Sequence, residues 1–308
     1  PSFAVETRSQ AAAMIADRAP GDLDAVFFTN GGADANEHAI RMARLHTGRH
    51  KVLAAYRSYH GGTAGAMALT GEPRVGETAL LNTTVLERGL GTGGLSGDAA
   101  VAAVDAVLGG EDESAFVAMR PPGHHAERAK AMGFCIFNAI AIGALRALDH
   151  HGLDRVAVVD FDVHHGNGTQ AAFQADNSLF LASIHQMPLY PGTGAPDETG
   201  VGNIVNAPVP PHAARETWRA TFAGGLMAPL ETFGPDLILI SAGFDAHRRD
   251  PLAHQSLEPE DFAWATRAVL EVARRACRGM VVSSLEGGYD LEGLSRSAVA
   301  HLEALGED

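Results

Sequence analysis

The sequence predicts an α/β fold with a mostly parallel sheet and helices on both faces. From residue 98 onward, short apolar runs alternate with longer segments of helical periodicity, which is typical of strands joined by crossover helices. The run at 156–159 is Val-Ala-Val-Val, as expected for a strand that is buried on both faces. Polar or glycine-rich stretches follow these runs, and ligands bind α/β sheets at that edge.

The composition favours a globular protein and excludes several functional classes. The 308 residues, 46% of them hydrophobic, can form one large domain or two smaller ones. We expect no membrane span, because no apolar run reaches about 18 residues, and the first residues show no secretory signal. Cys135 and Cys277 are the only cysteines, which favours a reducing, cytoplasmic location. The net charge of -14 disfavours nucleic-acid binding and suits cationic partners.

The first 75 residues predict a small α/β segment of their own. A helix is expected over 10–18 and a strand over 25–29. A glycine-rich turn at 30–37 then leads into a helix that ends near Leu45, and a second strand is expected over 51–56. A glycine-rich turn between a strand and a helix can bind phosphate through its backbone N–H groups.

Two motifs in this segment, Thr29–Glu37 and Ser58–Gly61, resemble the class III pyridoxal-phosphate aminotransferases over about residues 3–73. The resemblance implies a vestigial cofactor site formed by Gly32, Ala33 and Tyr59. That family needs a lysine for its Schiff base, yet neither Lys51 nor Lys130, the only lysines, lies in the family's lysine motif. We therefore expect an aminotransferase-like fragment over 1–75 that binds no pyridoxal phosphate.

Residues 76–97 predict a flexible junction, and residues 98–308 predict the main domain. Five of the nine residues from 89 to 97 are glycines, so no regular element is expected before the helix at 98–108. Further strands are expected near 115–119, 155–161, 179–184, 236–241 and 280–285. Further helices are expected near 138–149, 167–175, 214–232, 259–276 and 291–305.

Side chains that can bind a divalent metal follow two of the predicted strands. Asp160, Asp162 and His164 alternate along the chain and lie on one side if strand geometry continues that far. Asp245 follows the strand at 236–241. Asp162, His164 and Asp245 can supply three ligands and leave a position open, as catalytic metal sites do. For the stretch at 156–168 alone, the alternative is a solvated strand end with helix-capping residues.

Two adjacent histidines and a tyrosine complete a candidate hydrolytic site. His124 and His125 suit general acid–base catalysis, and each imidazole needs an orienting acceptor. Asp160 and Asn167 are available as those acceptors. Tyr289 follows a Gly-Gly pair and could donate to a developing oxyanion. Together these side chains predict metal-assisted hydrolysis of an amide.

Six ordered motifs make residues from about 95 to 305 resemble the histone deacetylase and acetylpolyamine amidohydrolase family, on its class II-like bacterial side. The motifs are Arg120–Ala126, Gly133–Asn138, Asp160–Gly168, Tyr190–Gly194, Ser241–Asp245 and Glu286–Asp290. The resemblance implies an arginase/deacetylase-like fold with zinc held by Asp162, His164 and Asp245.

The resemblance also implies a role for each of the other candidate residues. His125 would be the general base, and Tyr289 would polarise the acetyl carbonyl. His124, paired with Asp160, would be an electrostatic or acid partner. Asn167 stands where some members of the family have Asp, which fits the class II-like pattern.

A substrate tunnel and a second ion are implied as well. The acyl-lysine tunnel would be lined by Gly133, Phe134, Tyr190 and Leu252. A structural monovalent cation, usually potassium, would be held by Asp160, Asp162, His164, Ser183 and Ile184. The implied partner is an acetylated lysine peptide or an acetylated polyamine, and a homo-oligomer is left open.

One departure from the family concerns the start of the domain. The family's opening strands and substrate-rim loop are missing before the helix at 98–108, and the aminotransferase-like fragment stands in their place. We therefore expect an N-terminally truncated deacetylase-like domain. The alternatives are a catalytically impaired metal-binding protein, an arginase-like manganese hydrolase and a pyridoxal-phosphate aminotransferase. The manganese enzyme would need more bridging carboxylates than Asp160, Asp162 and Asp245 provide.

Overall fold

The computed structural model describes residues 6–17, 25–26, 28–29, 32–47 and 94–307, and the chain divides into two units, 1–75 and 76–308. No helix in the described part of the chain is long and apolar enough to cross a membrane.

The described residues of the first unit form two helices, α1 (Glu6–Ala16) and α2 (Gly32–Thr47). The strand predicted over 25–29 is wrong for its four described residues, which have no regular secondary structure. Phe28 of this run is exposed, so the apolar pattern does not correspond to a buried strand here. The strand predicted over 51–56 lies outside the described residues.

The second unit alternates strands and helices along the chain. In order, its elements are α3 (Gly94–Leu108), β1 (Ser114–Val117), α4 (Ala139–Asp149), β2 (Val156–Asp160), α5 (Asn167–Phe173), β3 (Leu179–Gln186), β4 (Ile204–Val209), α6 (Arg215–Phe222), a π-helical turn (Ala223–Met227), α7 (Ala228–Phe233), β5 (Leu237–Ala242), α8 (Pro259–Ala276), β6 (Val281–Leu285) and α9 (Leu291–Leu305). Helix α3 begins inside the predicted junction, so the prediction of a flexible segment is wrong for residues 94–97.

The strands form one open parallel sheet in the order β1-β6-β5-β2-β3-β4. The predicted fold, a mostly parallel sheet with helices, is therefore confirmed. The central strand β2 is buried throughout and pairs with β3 on one side and β5 on the other. Its last residue, Asp160, lies beside Ser183 of β3 and Ser241 of β5, so the carboxyl ends of three strands meet at one edge.

Two apolar cores cover the two faces of the sheet, because successive residues of a strand point to opposite faces. Ala157 and Val159 of β2 belong to the core that α6, α7 and α8 cover. Val156 and Val158 belong to the other core, with residues of α3 and α4 such as Val104. Helices α4 and α9 begin at side-chain caps: Asn138 Oδ1 accepts from Ala141 N, and the Asp290 carboxylate accepts from Gly293 N.

Candidate active site

The loops that follow β1, β2, β5 and β6 bring the predicted polar residues together. Asp162 and His164 follow β2, and Asp245 follows the neighbouring strand β5 by three residues. The loop after β6 contacts the loops after β2 and β5, because Gly287 N donates to Asp162 Oδ2 at 2.8 Å and Gly287 O accepts from Phe244 N at 3.0 Å. Val163 N donates to Asp245 Oδ1 at 2.9 Å and joins the β2 and β5 loops directly.

Asp162, His164 and Asp245 form a buried cluster whose potential ligand atoms lie within 4.8 Å of one another. His164 Nδ1 is 3.2 Å from Asp162 Oδ1 and 3.0 Å from Asp245 Oδ2. Burial, followed by the charge of Asp162, raises the pKa of Asp245 to about 7. Burial alone would lower the pKa of His164, but hydrogen bonds to the two carboxylates raise it to about 10.

The chemistry of this cluster fits a divalent metal ion. Two carboxylates and one imidazole are nitrogen and oxygen donors of the kind that zinc accepts. Two carboxylates buried side by side also need positive charge to compensate them. The backbone approaches the carboxylates closely at two glycines. A methyl group at Gly243 would overlap the Asp162 carboxylate, and one at Gly287 would overlap the carboxylates of both Asp162 and Asp245. Glycine is therefore required where two loops approach the cluster.

His124 is buried and paired with a carboxylate. Its Nδ1 lies 2.9 Å from Asp160 Oδ2, and its Nε2 lies 3.8 Å from Asp162 Oδ1. Burial opposes the charged form, yet the nearby charges of Asp160, Asp162 and Glu286 raise the pKa of His124 well above its ordinary value. The site therefore favours a positively charged imidazole at this position.

His125 lies against His124 but has an amide as its partner. The two ring centroids are 4.1 Å apart, and His125 Nδ1 is 2.8 Å from Asn167 Oδ1. Burial, and then the charge of His124, lowers the pKa of His125 to about 2. A neutral imidazole that donates through Nδ1 keeps Nε2 free to accept a proton.

Tyr289 is half-buried, and its backbone and ring are both held. Tyr289 N donates to Asp250 Oδ2 at 2.7 Å. The Arg120 guanidinium lies 5.5 Å from the centre of the Tyr289 ring and donates to Gly288 O at 2.8 Å. Burial, and then the charges of Asp245 and Asp162, raises the pKa of Tyr289, so its hydroxyl remains a proton donor in hydrogen bonds.

The residues predicted to line a tunnel surround the histidines and Tyr289. The exposed Phe134 ring lies 5.8 Å from the Tyr289 ring, and the exposed Tyr190 ring lies 5.2 Å from the His125 ring. Gly133 has a φ of 57°, and a methyl group there would overlap His125. Leu252 is also exposed, and its N–H donates to Asp250 Oδ1, the carboxylate that holds Tyr289 N.

The other predicted sites are only partly brought together. For the monovalent cation, Ser183 is the register partner of Asp160, Ile184 is buried next to it, and Ser183 Oγ is 3.0 Å from His185 Nδ1. In the first unit, Gly32 and Ala33 begin α2, whereas Tyr59 lies outside the described residues.

Several residues that support the site were not predicted as site residues. The buried Glu286 accepts from Gly123 N at 2.6 Å and His124 N at 3.1 Å, and thereby fixes the loop that bears the histidines. Burial raises the pKa of Glu286 to about 7. Asp250 holds Tyr289, as described above. A signal was present for Glu286, because this carboxylate directly follows an apolar strand, within a motif already recognised.

A parallel sheet that gathers a buried Asp-His-Asp cluster, a histidine pair and a tyrosine at its carboxyl edge defines an α/β protein with a candidate metal-dependent catalytic site. A family model described as the histone deacetylase domain matches residues 37–305, and the chain therefore belongs to the histone deacetylase family.

Individual relatives agree with the family. An uncharacterized protein of Synechocystis is 43% identical over 215 residues, which are 68% of this chain and 69% of the relative. The histone deacetylase-like amidohydrolase of Pseudomonas aeruginosa is 41% identical over 200 residues, which are 63% of this chain and 53% of the relative. The crystal structure of the HDA15 HD domain has a TM-score of 0.67 and 29% identity, and the match covers 96% of this chain and 79% of that chain. This chain spans 50–69% of the length of four of the curated relatives that it matches, and as little as 13% of the length of others.

These comparisons do not support the predicted resemblance of residues 3–73 to aminotransferases. The histone deacetylase model already includes residues 37–73, which contain the second of the two motifs and the end of the first. Short glycine-rich turns at the start of a helix occur in many α/β proteins, so their spacing was a weak signal.

Proposed function

We propose that this protein is a zinc-dependent amidohydrolase that removes acetyl groups from acetyl-lysine or from an acetylated polyamine. The observation that carries the proposal is the buried Asp162–His164–Asp245 cluster beside the neutral His125. Relatives named as deacetylases and as an amidohydrolase support the same reaction class. A cytoplasmic location remains part of this proposal.

The proposed mechanism assigns one task to each side chain. Zinc, held by Asp162, His164 and Asp245, supplies a Lewis acid when bound. His125 Nε2 accepts a proton from the attacking water, while Asn167 holds Nδ1. The Tyr289 hydroxyl donates to the carbonyl oxygen as negative charge develops there.

Collapse of the tetrahedral intermediate breaks the C–N bond and gives acetic acid and an amine, which exchange a proton in water to become acetate and an ammonium group. The proton on His125 then passes to the leaving nitrogen. His124, charged and paired with Asp160, contributes positive potential beside the reacting carbonyl.

The exposed aromatic rings define the proposed path for the substrate. Phe134 and Tyr190 present their rings beside Tyr289 and His125, which suits a long aliphatic chain that ends in an acetamide.

We further propose a potassium ion that stabilises the end of β2 beneath the histidines. The residues that would hold it are Asp160, Asp162, His164, Ser183 and Ile184.

The direct test is hydrolysis of a fluorogenic acetyl-lysine substrate by purified protein. We expect a chelator to abolish turnover and added zinc to restore it. Tyr289→Phe should lower kcat by about 100-fold, the effect of removing one oxyanion donor, and leave bound zinc unchanged. Tyr190→Phe is the matched control, because it keeps the ring beside His125 and should keep kcat.

The outcomes also separate the alternatives. Turnover that resists both the chelator and Tyr289→Phe would contradict the proposal. Stoichiometric zinc without hydrolysis of any acetylated amine would indicate a metal-binding protein that lacks turnover. Two metal ions per chain, with manganese-dependent activity, would indicate the arginase-like alternative.

A further inference from the structure

We propose that Glu127 is a positioning residue that orients the Asn167 amide and thereby keeps the proton of His125 on Nδ1. The inference rests on the proposed function only in that His125 is the base of that reaction. Three side chains form a continuous chain of hydrogen bonds. Glu127 Oε1 accepts from Asn167 Nδ2 at 2.7 Å, and Asn167 Oδ1 lies 2.8 Å from His125 Nδ1.

An asparagine cannot select a histidine tautomer without help. Its amide has a donor end and an acceptor end of almost equal size, and a flip would place N–H groups against His125 Nδ1. The imidazole would then have to carry its proton on Nε2, where the general base needs a lone pair. Whatever surrounds the other end of the amide therefore decides which nitrogen of His125 is protonated.

Only acceptors surround that other end among the contacts of the described residues. Asn167 Nδ2 lies 2.7 Å from Glu127 Oε1, 3.3 Å from His125 O and 3.4 Å from Met132 Sδ. The Glu127 contact is the shortest, and an ionised carboxylate has no proton to donate. A flipped amide would place Oδ1 against these three acceptors, so Glu127 holds the orientation in which Oδ1 faces His125.

Both ends of this chain are fixed by backbone contacts. Glu127 N donates to Lys130 O and Lys130 N donates to Glu127 O, which closes a tight turn directly after the histidine pair. Asn167 begins α5, and the next N–H groups, of Gly168 and Thr169, donate to His124 O. In the part of the chain that the structure describes, no arginine or lysine forms an ion pair with Glu127, so its charge acts on the amide.

The neighbouring histidine shows what the amide changes. His124 contacts the Asp160 carboxylate directly, whereas the Asn167 amide separates His125 from the Glu127 carboxylate. A direct carboxylate would stabilise the protonated imidazole strongly. The intervening amide fixes the tautomer without placing a full negative charge on the ring.

Four variants test the proposal: Glu127→Ala, Glu127→Gln, Asn167→Asp and the double variant Asn167→Asp/Glu127→Gln. Glu127→Ala should lower kcat by about tenfold with little change in KM, as loss of an outer-shell partner does. Glu127→Gln should be milder, because the introduced amide oxygen still accepts from Asn167. Asn167→Asp should be severe, because it sets two carboxylates against each other at a contact now 2.7 Å long.

The double variant is the decisive measurement. A glutamine at 127 can donate to an aspartate at 167, which restores a chain that ends in an acceptor at His125. We expect the kcat of the double variant to exceed the kcat of Asn167→Asp alone. Two substitutions that damaged the structure independently would instead lower kcat further. The melting temperature of each variant separates a change in stability from this coupling.

A second readout does not need turnover. In protein with 15N-labelled histidine, His125 should show its proton on Nδ1 in the unsubstituted chain and a mixture of tautomers in Glu127→Ala. Glu198→Gln is the matched control, because Glu198 Oε2 accepts from Gln170 Nε2 at 2.6 Å and Gln170 Oε1 lies 3.0 Å from His165 Nε2. This equivalent chain ends on a different histidine, so the control should leave the His125 tautomer and kcat unchanged.

A Glu127→Ala protein with unchanged kcat and an unchanged His125 tautomer would overturn the proposal. So would a double variant no more active than Asn167→Asp. If the unsubstituted protein hydrolyses no acetylated amine, the proposed function fails, and the tautomer comparison still decides on Glu127.

Discussion

His124 and His125 are neighbours in the chain, yet their partners give them opposite preferences for a proton. A charged imidazole 4.1 Å away disfavours a second positive charge, so only one of the two rings is protonated. The Asp160 carboxylate assigns that charge to His124, and the Asn167 amide leaves His125 neutral. The partners could be predicted from the sequence because Asp160 ends β2 and Asn167 follows it, whereas the location of the charge depends on burial.

A methyl group added at Gly287, beside the metal cluster, tests whether the two carboxylates bind zinc. Gly287→Ala should abolish zinc binding, because the new methyl group would overlap the Asp162 and Asp245 carboxylates. The ratio of zinc to protein, measured by mass spectrometry after dialysis, should fall from stoichiometric to near zero. Gly225→Ala is the control, since its new methyl group would meet Ala207 Cβ at an ordinary 3.5 Å. Full zinc occupancy in Gly287→Ala would show that these carboxylates are not the ligands.

The candidate ligands could be predicted from sequence, but the residues that hold them could not. Asp162, His164 and Asp245 interrupt or follow apolar strands, where polar residues need a reason. Asp250 and Glu127 lie in loops where acidic residues are common, so no pattern separates them from solvated side chains. Their importance depends on three-dimensional approach, to Tyr289 N and to the Asn167 amide.

At the level of elements, the pattern of apolar residues predicts the central strands β2 and β5 but not the edge strand β4. β2 and β5 are buried apolar runs, and each was predicted to within one or two residues. β4 was not predicted, because Asn206 and Pro208 interrupt its apolar pattern. In the described sheet β4 pairs only with β3, and an edge strand tolerates a proline that an inner strand would not. The helix predicted over 214–232 is interrupted by the π-helical turn, which contains two consecutive glycines.

His301 joins α9 to α8 and β6 through buried hydrogen bonds. Its Nδ1 lies 2.7 Å from Thr266 Oγ1, and its Nε2 lies 2.8 Å from Ser283 Oγ. The Phe161 and Phe244 rings pack on it at 5.9 and 5.7 Å, and these residues directly precede Asp162 and Asp245. A neutral His301 therefore supports the apolar core beneath the metal cluster.

Burial lowers the pKa of His301 to about 3 from an ordinary value of 6.5. Between those values the unfolded chain binds the proton that the folded chain excludes, so the free energy of unfolding falls as pH falls from 6.5 toward 3. We expect His301→Gln to reduce this slope in denaturant unfolding measured from pH 7 to pH 5. Other buried histidines contribute to the slope in both proteins, so the difference isolates His301. Identical slopes would contradict the neutral, buried state.

At the scale of the whole molecule, the family match and the structural units divide the chain differently. The family model begins at residue 37, inside the first unit, whereas the units separate at residue 75. The predicted domains, 1–75, 76–97 and 98–308, therefore remain a prediction. Sequence motifs identified the second unit because its site residues follow buried strands. The first unit has short motifs without such a framework, and the resemblance to aminotransferases that they predicted is not supported by the comparisons.

The metal cluster lies entirely in the second unit, so zinc should stabilise the two units unequally. A ligand that binds only the folded state raises stability in proportion to the logarithm of its concentration above Kd. In hydrogen exchange followed by mass spectrometry, added zinc should slow exchange in β2, β5, β6 and the loops after them. Exchange in α1 and α2 should not change. Asp245→Ala, which removes one ligand and leaves the strands in place, should abolish the zinc effect. Equal protection of α1 and α2 by zinc in the unsubstituted protein would contradict a metal centre confined to residues 76–308.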